Sequence, residues 1–122
     1  AVDAWGRVDI LVNNAGILRD KSFAKMELAD FKLVMDVHVM GAVHCTKAVW
    51  PIMQAQNYGR IVMTTSSSGL YGNFGQANYS MAKIGLYGLC RSLTYEGKKN
   101  TLTLSQERQR DRLLKAKNKS KK

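Results

Sequence analysis

The apolar residues of this chain fall into two patterns, short runs and longer stretches in which they return every three or four positions. Val8 to Val12 is a short, largely apolar run with β-branched residues, followed by Asn13, Asn14 and Gly16. That pattern predicts a buried parallel strand ending in a loop. From Leu28 to about Gln54, Phe31, Val34, His38, Cys45, Val49 and Ile52 recur at helical spacing, with the small Gly41 and Ala42 between them. This predicts a long amphipathic helix bent near Gly41. Pro51 has no backbone donor and marks a last turn or a break. Asn57-Tyr58-Gly59 supplies turn chemistry, and Arg60 to Thr64 reads as a second buried strand. Ser66 to Gly75, rich in Ser and Gly, reads as a loop. Tyr79, Lys83, Leu86, Cys90 and Leu93 then keep helical spacing, predicting a helix from about Asn78 to Glu96 with Gly97 as its stop. Strand, helix, strand, helix implies parallel strands joined by right-handed crossovers, an α/β fold.

Beyond Gly97 the texture changes. Residues 98 to 122 hold only scattered apolar side chains (Leu102, Leu104, Leu113, Leu114), and residues 105 to 117 read as either a charged helix or part of a disordered tail. Charge sharpens that boundary. The formal net charge is +10, yet residues 1 to 97 carry nine basic and seven acidic side chains against ten and two in residues 98 to 122. The basicity therefore belongs to the tail, which has no aromatic residue to stack on bases, so specific nucleic-acid binding is not expected. Two segments follow: a domain over 1–97 and a basic tail over 98–122. No apolar run suits a membrane span and the first residues lack a signal-peptide pattern, so the chain reads as soluble and unsecreted. Cys45 and Cys90 read as small core residues of a reducing compartment. With His38 and His44 they lack the spacing of a metal site.

Tyr79 and Lys83 are four apart, which places both on one helix face. A phenol, with an ordinary pKa of about 10, carries protons poorly at neutral pH. A nearby ammonium favours the phenolate, so this pairing suits general acid or base work. Ser66, just past the carboxyl end of a strand, lies where open α/β sheets bind ligands, and its hydroxyl can hold a carbonyl or alcohol oxygen. Each signal alone is weak, because Tyr-x-x-x-Lys arises by chance in many helices.

Together they are more specific. Asn13-Asn14-Ala15-Gly16 after one strand, Ser66 after the next, and Tyr79-x-x-x-Lys83 opening a helix resemble, in order and spacing, the short-chain dehydrogenase/reductase family over about residues 1 to 100. The resemblance implies a partial Rossmann-like, doubly wound parallel sheet, its central to C-terminal portion only. Ile17 to Asp20 and Gly72 to Ser80 look most like the (3R)-hydroxyacyl-CoA dehydrogenase domains of peroxisomal multifunctional enzymes. The 3-oxoacyl carrier-protein reductases of fatty-acid synthesis share much of the pattern and compete closely.

By that resemblance Tyr79 passes a proton to or from the substrate oxygen, Lys83 assists it and binds the nicotinamide ribose, and Ser66 holds the substrate oxygen. Asn13, Asn14, Ala15 and Gly16 support the adenosine side of an NAD cofactor, NADP remaining open. The implied substrate is a 3-hydroxyacyl or 3-oxoacyl thioester of fatty-acid β-oxidation. The implied partner is a second copy, joined through the helices at 28–54 and 79–96. A peroxisomal address is implied likewise, with the cytoplasm as alternative, because the chain ends Ser120-Lys121-Lys122 and not Ser-Lys-Leu. His38 stands where most of the family has an asparagine, and reads as part of a proton relay or as a core histidine. The family's glycine-rich phosphate turn has no counterpart in this sequence. The strand expected soon after Gly97 also reads as replaced by the tail. Two parallel strands with open edges and little activity are therefore expected, with a non-catalytic form that pairs with full-length enzyme as the competing reading.

Overall fold

The computed structural model describes residues 2–108. After a short helix α1 (Val2–Trp5) come strand β1 (Ile10–Asn13), a single 3-10 turn (Phe23–Lys25) and helix α2 (Leu28–Met35). A π-helical turn (Asp36–Met40) leads into α3 (Gly41–Gln56), followed by β2 (Gly59–Thr65), the short α4 (Ser67–Tyr71), the long α5 (Ala77–Gly97) and β3 (Leu102–Arg108). The sheet order is β1-β2-β3, and both pairings are parallel.

The third strand departs from the sequence reading. Leu102 and Leu104, expected to be scattered residues of a tail, are buried, while Thr103 between them and Ser105 after them are exposed. The two leucines sit two register rows apart along the central strand, Leu102 beside Gly59 and Leu104 beside Ile61. A two-residue alternation this short is invisible beside so much charge until β2 lies next to it. Residues 105 to 108 therefore continue a strand and do not begin a charged helix. The rest of the anticipated tail, 109 to 122, lies outside the described residues.

One face of the sheet is packed. Leu11, Ile61, Met63, Leu102 and Leu104 meet Ala42, Val49, Trp50 and Met53 of α3 and Leu86, Leu89, Cys90 and Leu93 of α5. Ile10 (62% exposed) and Val12 (46%) point the other way, so β1 alternates instead of being buried on both faces as its apolar run suggested. The side chain of Gln56 secures the entry to β1, accepting from the Val8 amide at 2.8 Å and donating to the Val8 carbonyl at 2.7 Å.

The helix anticipated over 28–54 runs from 28 to 56, but the expected bend near Gly41 is a π turn, in which the Gly41 amide bonds the Asp36 carbonyl five residues back. A π turn takes in more residues than an α turn, so the buried stripe shifts one position along the chain beyond it. Thr46 and Met53 are buried where Cys45 and Ile52 were expected, and Cys45 is exposed, not a core residue. Pro51 lies within α3 without breaking it, and the helix ends at Asn57 in the left-handed conformation (φ 54°). Part of the Ser66–Gly75 loop is helical, α4. Gly97 is not the left-handed stop of α5: its φ is −83°, and Thr101 (φ 58°) makes the turn. What Gly97 provides is close approach, since a Cβ there would lie 2.8 Å from that of Leu102.

Leu102→Ala should lower the unfolding free energy by about 2–5 kcal/mol, the usual range for a buried leucine. Urea titration reads this directly, and an unstructured tail would leave the midpoint unmoved.

Candidate active site

The carboxyl ends of β1 and β2 open beside the first two turns of α5, where parallel α/β sheets place their ligands. A cleft of about 340 Å³ lies there, lined by Asn14, Gly16, Ile17 and Leu18 after β1 and by His38, Thr64, Tyr79 and Lys83.

Lys83 is 4% exposed. Its Nζ donates to the Thr64 carbonyl at 3.2 Å and stands 5.6 Å from the centroid of the Tyr79 ring. Taking an ammonium out of water costs several kcal/mol unless its donors are met, so a helix-surface reading of this lysine does not hold. The local sequence permits the burial. A Cβ on Gly69 would approach the Ile84 amide at 3.0 Å and Lys83 Cβ at 3.1 Å, so glycine lets α4 close over the helix here without pushing the two apart. Tyr79 is half-buried one turn earlier, and its ring meets that of His38 edge to face at 5.3 Å and 86°.

The π turn carries His38 into this site. Its Nε2 lies 2.8 Å from the Ile17 carbonyl and 3.1 Å from the Ile17 amide, and the tautomer decides which bond forms. Nδ1 is buried and has no partner among the described residues. Burial holds the imidazole below its usual pKa, against the opposing pull of the Ile17 backbone bond, and the charge of Lys83 adds to the lowering. Gly16 is required here, because a Cβ would run into the His38 ring, with Nδ1 3.0 Å away.

The structure thus brings Asn14, Gly16, His38, Tyr79 and Lys83 into one cleft and separates the others. Ser66 lines a neighbouring cavity of about 200 Å³ together with Thr65, Gly69, Tyr87 and Gln106, and Lys83 belongs to both cavities. Ser66 caps α4, its Oγ accepting from the Ser68 amide at 3.3 Å. That bond uses a lone pair and leaves the hydroxyl proton available. Asn13 braces the sheet, its Nδ2 donating to Thr46 Oγ1 at 3.2 Å and contacting Met63 Sδ at 3.3 Å. Ala15 is exposed between cleft residues. The sequence reading missed Thr64 and Ile17, which act through backbone atoms and so leave no side-chain signature.

A parallel sheet with a Tyr-x-x-x-Lys helix at its carboxyl edge is the frame of a dehydrogenase. Residues 1–106 match the model of the short chain dehydrogenase family, and the chain belongs to that family, which generally works with NAD or NADP. It is similar to peroxisomal multifunctional enzyme type 2 of Mus musculus, 55% identical over 102 residues, which are 84% of this chain and 14% of that protein. It is also similar to the peroxisomal hydratase-dehydrogenase-epimerase of Saccharomyces cerevisiae, 53% identical over 105 residues, 86% of this chain and 12% of that one. Among solved structures, full-length peroxisomal multifunctional enzyme type 2 from Drosophila melanogaster superposes with a TM-score of 0.79 at 53% identity, covering 80% of this chain and 18% of that one. The chain therefore spans less than a fifth of the length of each of these three proteins.

The lowered pKa of His38 makes folding depend on pH in a definite direction. Below its ordinary pKa of 6.5 the unfolded chain takes up a proton that the folded chain resists, so stability present above that pH is lost as the pH falls through the folded value. Urea midpoints at about pH 7.5 and about pH 5.5 should differ less in His38→Asn than in the wild type.

Proposed function

We propose that this site interconverts a (3R)-3-hydroxyacyl-CoA and its 3-oxoacyl-CoA with NAD as cofactor, as a step of fatty-acid β-oxidation in the peroxisome. The observation that carries this reading is the buried Lys83 beside Tyr79 in a cleft at the carboxyl edge of the sheet. The similarity to peroxisomal multifunctional enzymes supports the substrate and the address.

Asn14, Tyr79 and Lys83 offer an amide, a phenol and an ammonium to one small space, a donor set that fits the hydroxyls of a nicotinamide ribose. When bound, the nicotinamide supplies or accepts the hydride at the substrate's C3. In the reductive direction Tyr79 gives its phenolic proton to the substrate oxygen, and the Lys83 ammonium stabilises the phenolate left behind. In the oxidative direction the phenolate takes the proton back. Ser66 donates its hydroxyl proton to the same oxygen, which requires a substrate that reaches across both cavities past Lys83. His38, neutral and next to Lys83 and Tyr79, stands as the following group along a proton path. Asn13, Ala15 and Gly16 shape the wall on the adenosine side, Asn13 from behind the sheet and Gly16 by leaving room for His38. An apolar groove between α3 and α5, containing Val43, Trp50, Leu89 and Leu93, supports self-association through these helices.

Tyr79→Phe should lower kcat for 3-oxoacyl-CoA reduction about 10²- to 10⁴-fold, the range for loss of a general acid. NADH should raise the melting temperature of the wild type and, by a smaller amount, that of Tyr79→Phe, which keeps the Asn14 and Lys83 donors but loses the phenol, since a ligand that binds only the folded state stabilises it. A wild-type chain that NADH does not stabilise would instead support the non-catalytic reading, in which this chain pairs with full-length enzyme.

A further inference from the structure

The wall of the cleft formed by Ile17 and Leu18 continues into Arg19, Asp20 and Lys21, and this segment is fastened to the start of α5 by bonds that converge on one side chain. Gln76 occupies the position before the first residue of α5, where a side chain ordinarily caps its own helix, yet it makes no such bond. Its amide is used between segments. Nε2 donates to Asp20 Oδ2 at 3.0 Å, while Oε1 accepts from Ser68 Oγ of α4 at 2.9 Å and from Asn73 Nδ2 at 2.9 Å. Two neighbouring bonds run the same way: the Lys21 amide donates to the Gly75 carbonyl at 2.9 Å, and Asn78, fully buried, donates from Nδ2 to the Arg19 carbonyl at 3.2 Å.

We propose that Gln76 is a positioning residue that locks the Ile17–Lys21 wall onto the turn that carries Tyr79, and so sets how tightly the cleft holds its substrate while leaving the proton transfer itself unchanged. The inference rests on the catalytic reading above for its substrate, an acyl-CoA, but the clamp can be measured without turnover. Both ends of the wall are then fixed, at Ile17 by His38 and at Arg19 to Lys21 by the α5 entry. A carboxamide suits the task because it donates to a carboxylate and accepts from a hydroxyl and an amide at once. A hydroxyl also donates and accepts but only from a single atom, whereas the carboxamide places donor and acceptor on separate atoms, and asparagine is one carbon shorter.

The test uses the full chain and four variants: Gln76→Ala, Gln76→Glu, Asp20→Asn, and the double variant Gln76→Glu with Asp20→Asn. Gln76→Glu keeps both acceptor bonds but sets two carboxylates face to face. The double variant restores the bond with its direction reversed, which separates loss of the clamp from loss of the fold. Amide hydrogen exchange at Lys21 should speed up about ten-fold in Gln76→Ala and Gln76→Glu and return toward wild type in the double variant. The KM for acetoacetyl-CoA should rise about five-fold in the same two variants with kcat nearly unchanged, the pattern of lost uniform binding. Unaltered Lys21 exchange in the single variants at Gln76, a double variant no closer to wild type than Gln76→Glu, or a fall in kcat with KM unmoved would each overturn the proposal. If the wild-type chain turns over no 3-oxoacyl-CoA, the catalytic reading fails, and Lys21 exchange together with the Kd of acetoacetyl-CoA decides the clamp in its place.

Discussion

The ammonium of Lys83 is the group around which the rest of the site is arranged. A cation this deeply buried must have its donors met, and the carbonyl of Thr64 at the end of the central strand meets one of them. That bond ties α5 to β2 at a set height. Next to it α4 crosses α5 at Gly69, where a Cβ would come within 3.0 Å of the Ile84 amide and 3.1 Å of Lys83 Cβ, and Tyr79 stands one turn before Lys83 on the same helix. The charge reaches His38 as well, adding to the burial that keeps its imidazole neutral. One satisfied cation thus sets the spacing of three elements and the electrostatics of two rings.

The second constraint is the π turn at Asp36–Met40. It places His38 against Ile17 and Tyr79, and it slips the following helix by one residue so that Ala42, Thr46 and Met53 face the sheet. Site and core are therefore coupled through backbone geometry. A turn that returned to α-helical hydrogen bonding would rotate both His38 and the packing face of α3. Gly16 belongs to the same unit, because the imidazole occupies the volume a side chain there would need.

Membership of the short chain dehydrogenase family rests on residues 1–106, and the described fold extends to residue 108 with β2 paired on both sides. Only one face of this three-stranded sheet is packed by α3 and α5, and Ile10 and Val12 stand exposed on the other. The cleft is formed by loops and helix ends at one edge of the sheet. Its shape thus depends on how the segment after β1 is fastened more than on the packing of the core, and polar bonds from Gln76, Asn78 and His38 supply that fastening.

Periodicity in the sequence was enough to place β1, β2, the helix over 28–54 and α5, because apolar spacing is imposed by each element's own geometry. It also put Tyr79 and Lys83 on one helix face, and the order of Asn13–Gly16, Ser66 and Tyr79–Lys83 was enough to recognise the family. The tertiary structure alone decided that Leu102 to Arg108 form a strand, since two leucines in alternation carry little signal until a partner strand buries them. It alone decided which side of α3 is buried, because a π turn adds a residue that no composition reveals. It likewise set Ser66 in a neighbouring cavity and gave Thr64, Ile17 and Gln76 their places around the cleft. Backbone carbonyls and side-chain amides act through direction and distance, and those exist only once the segments have met.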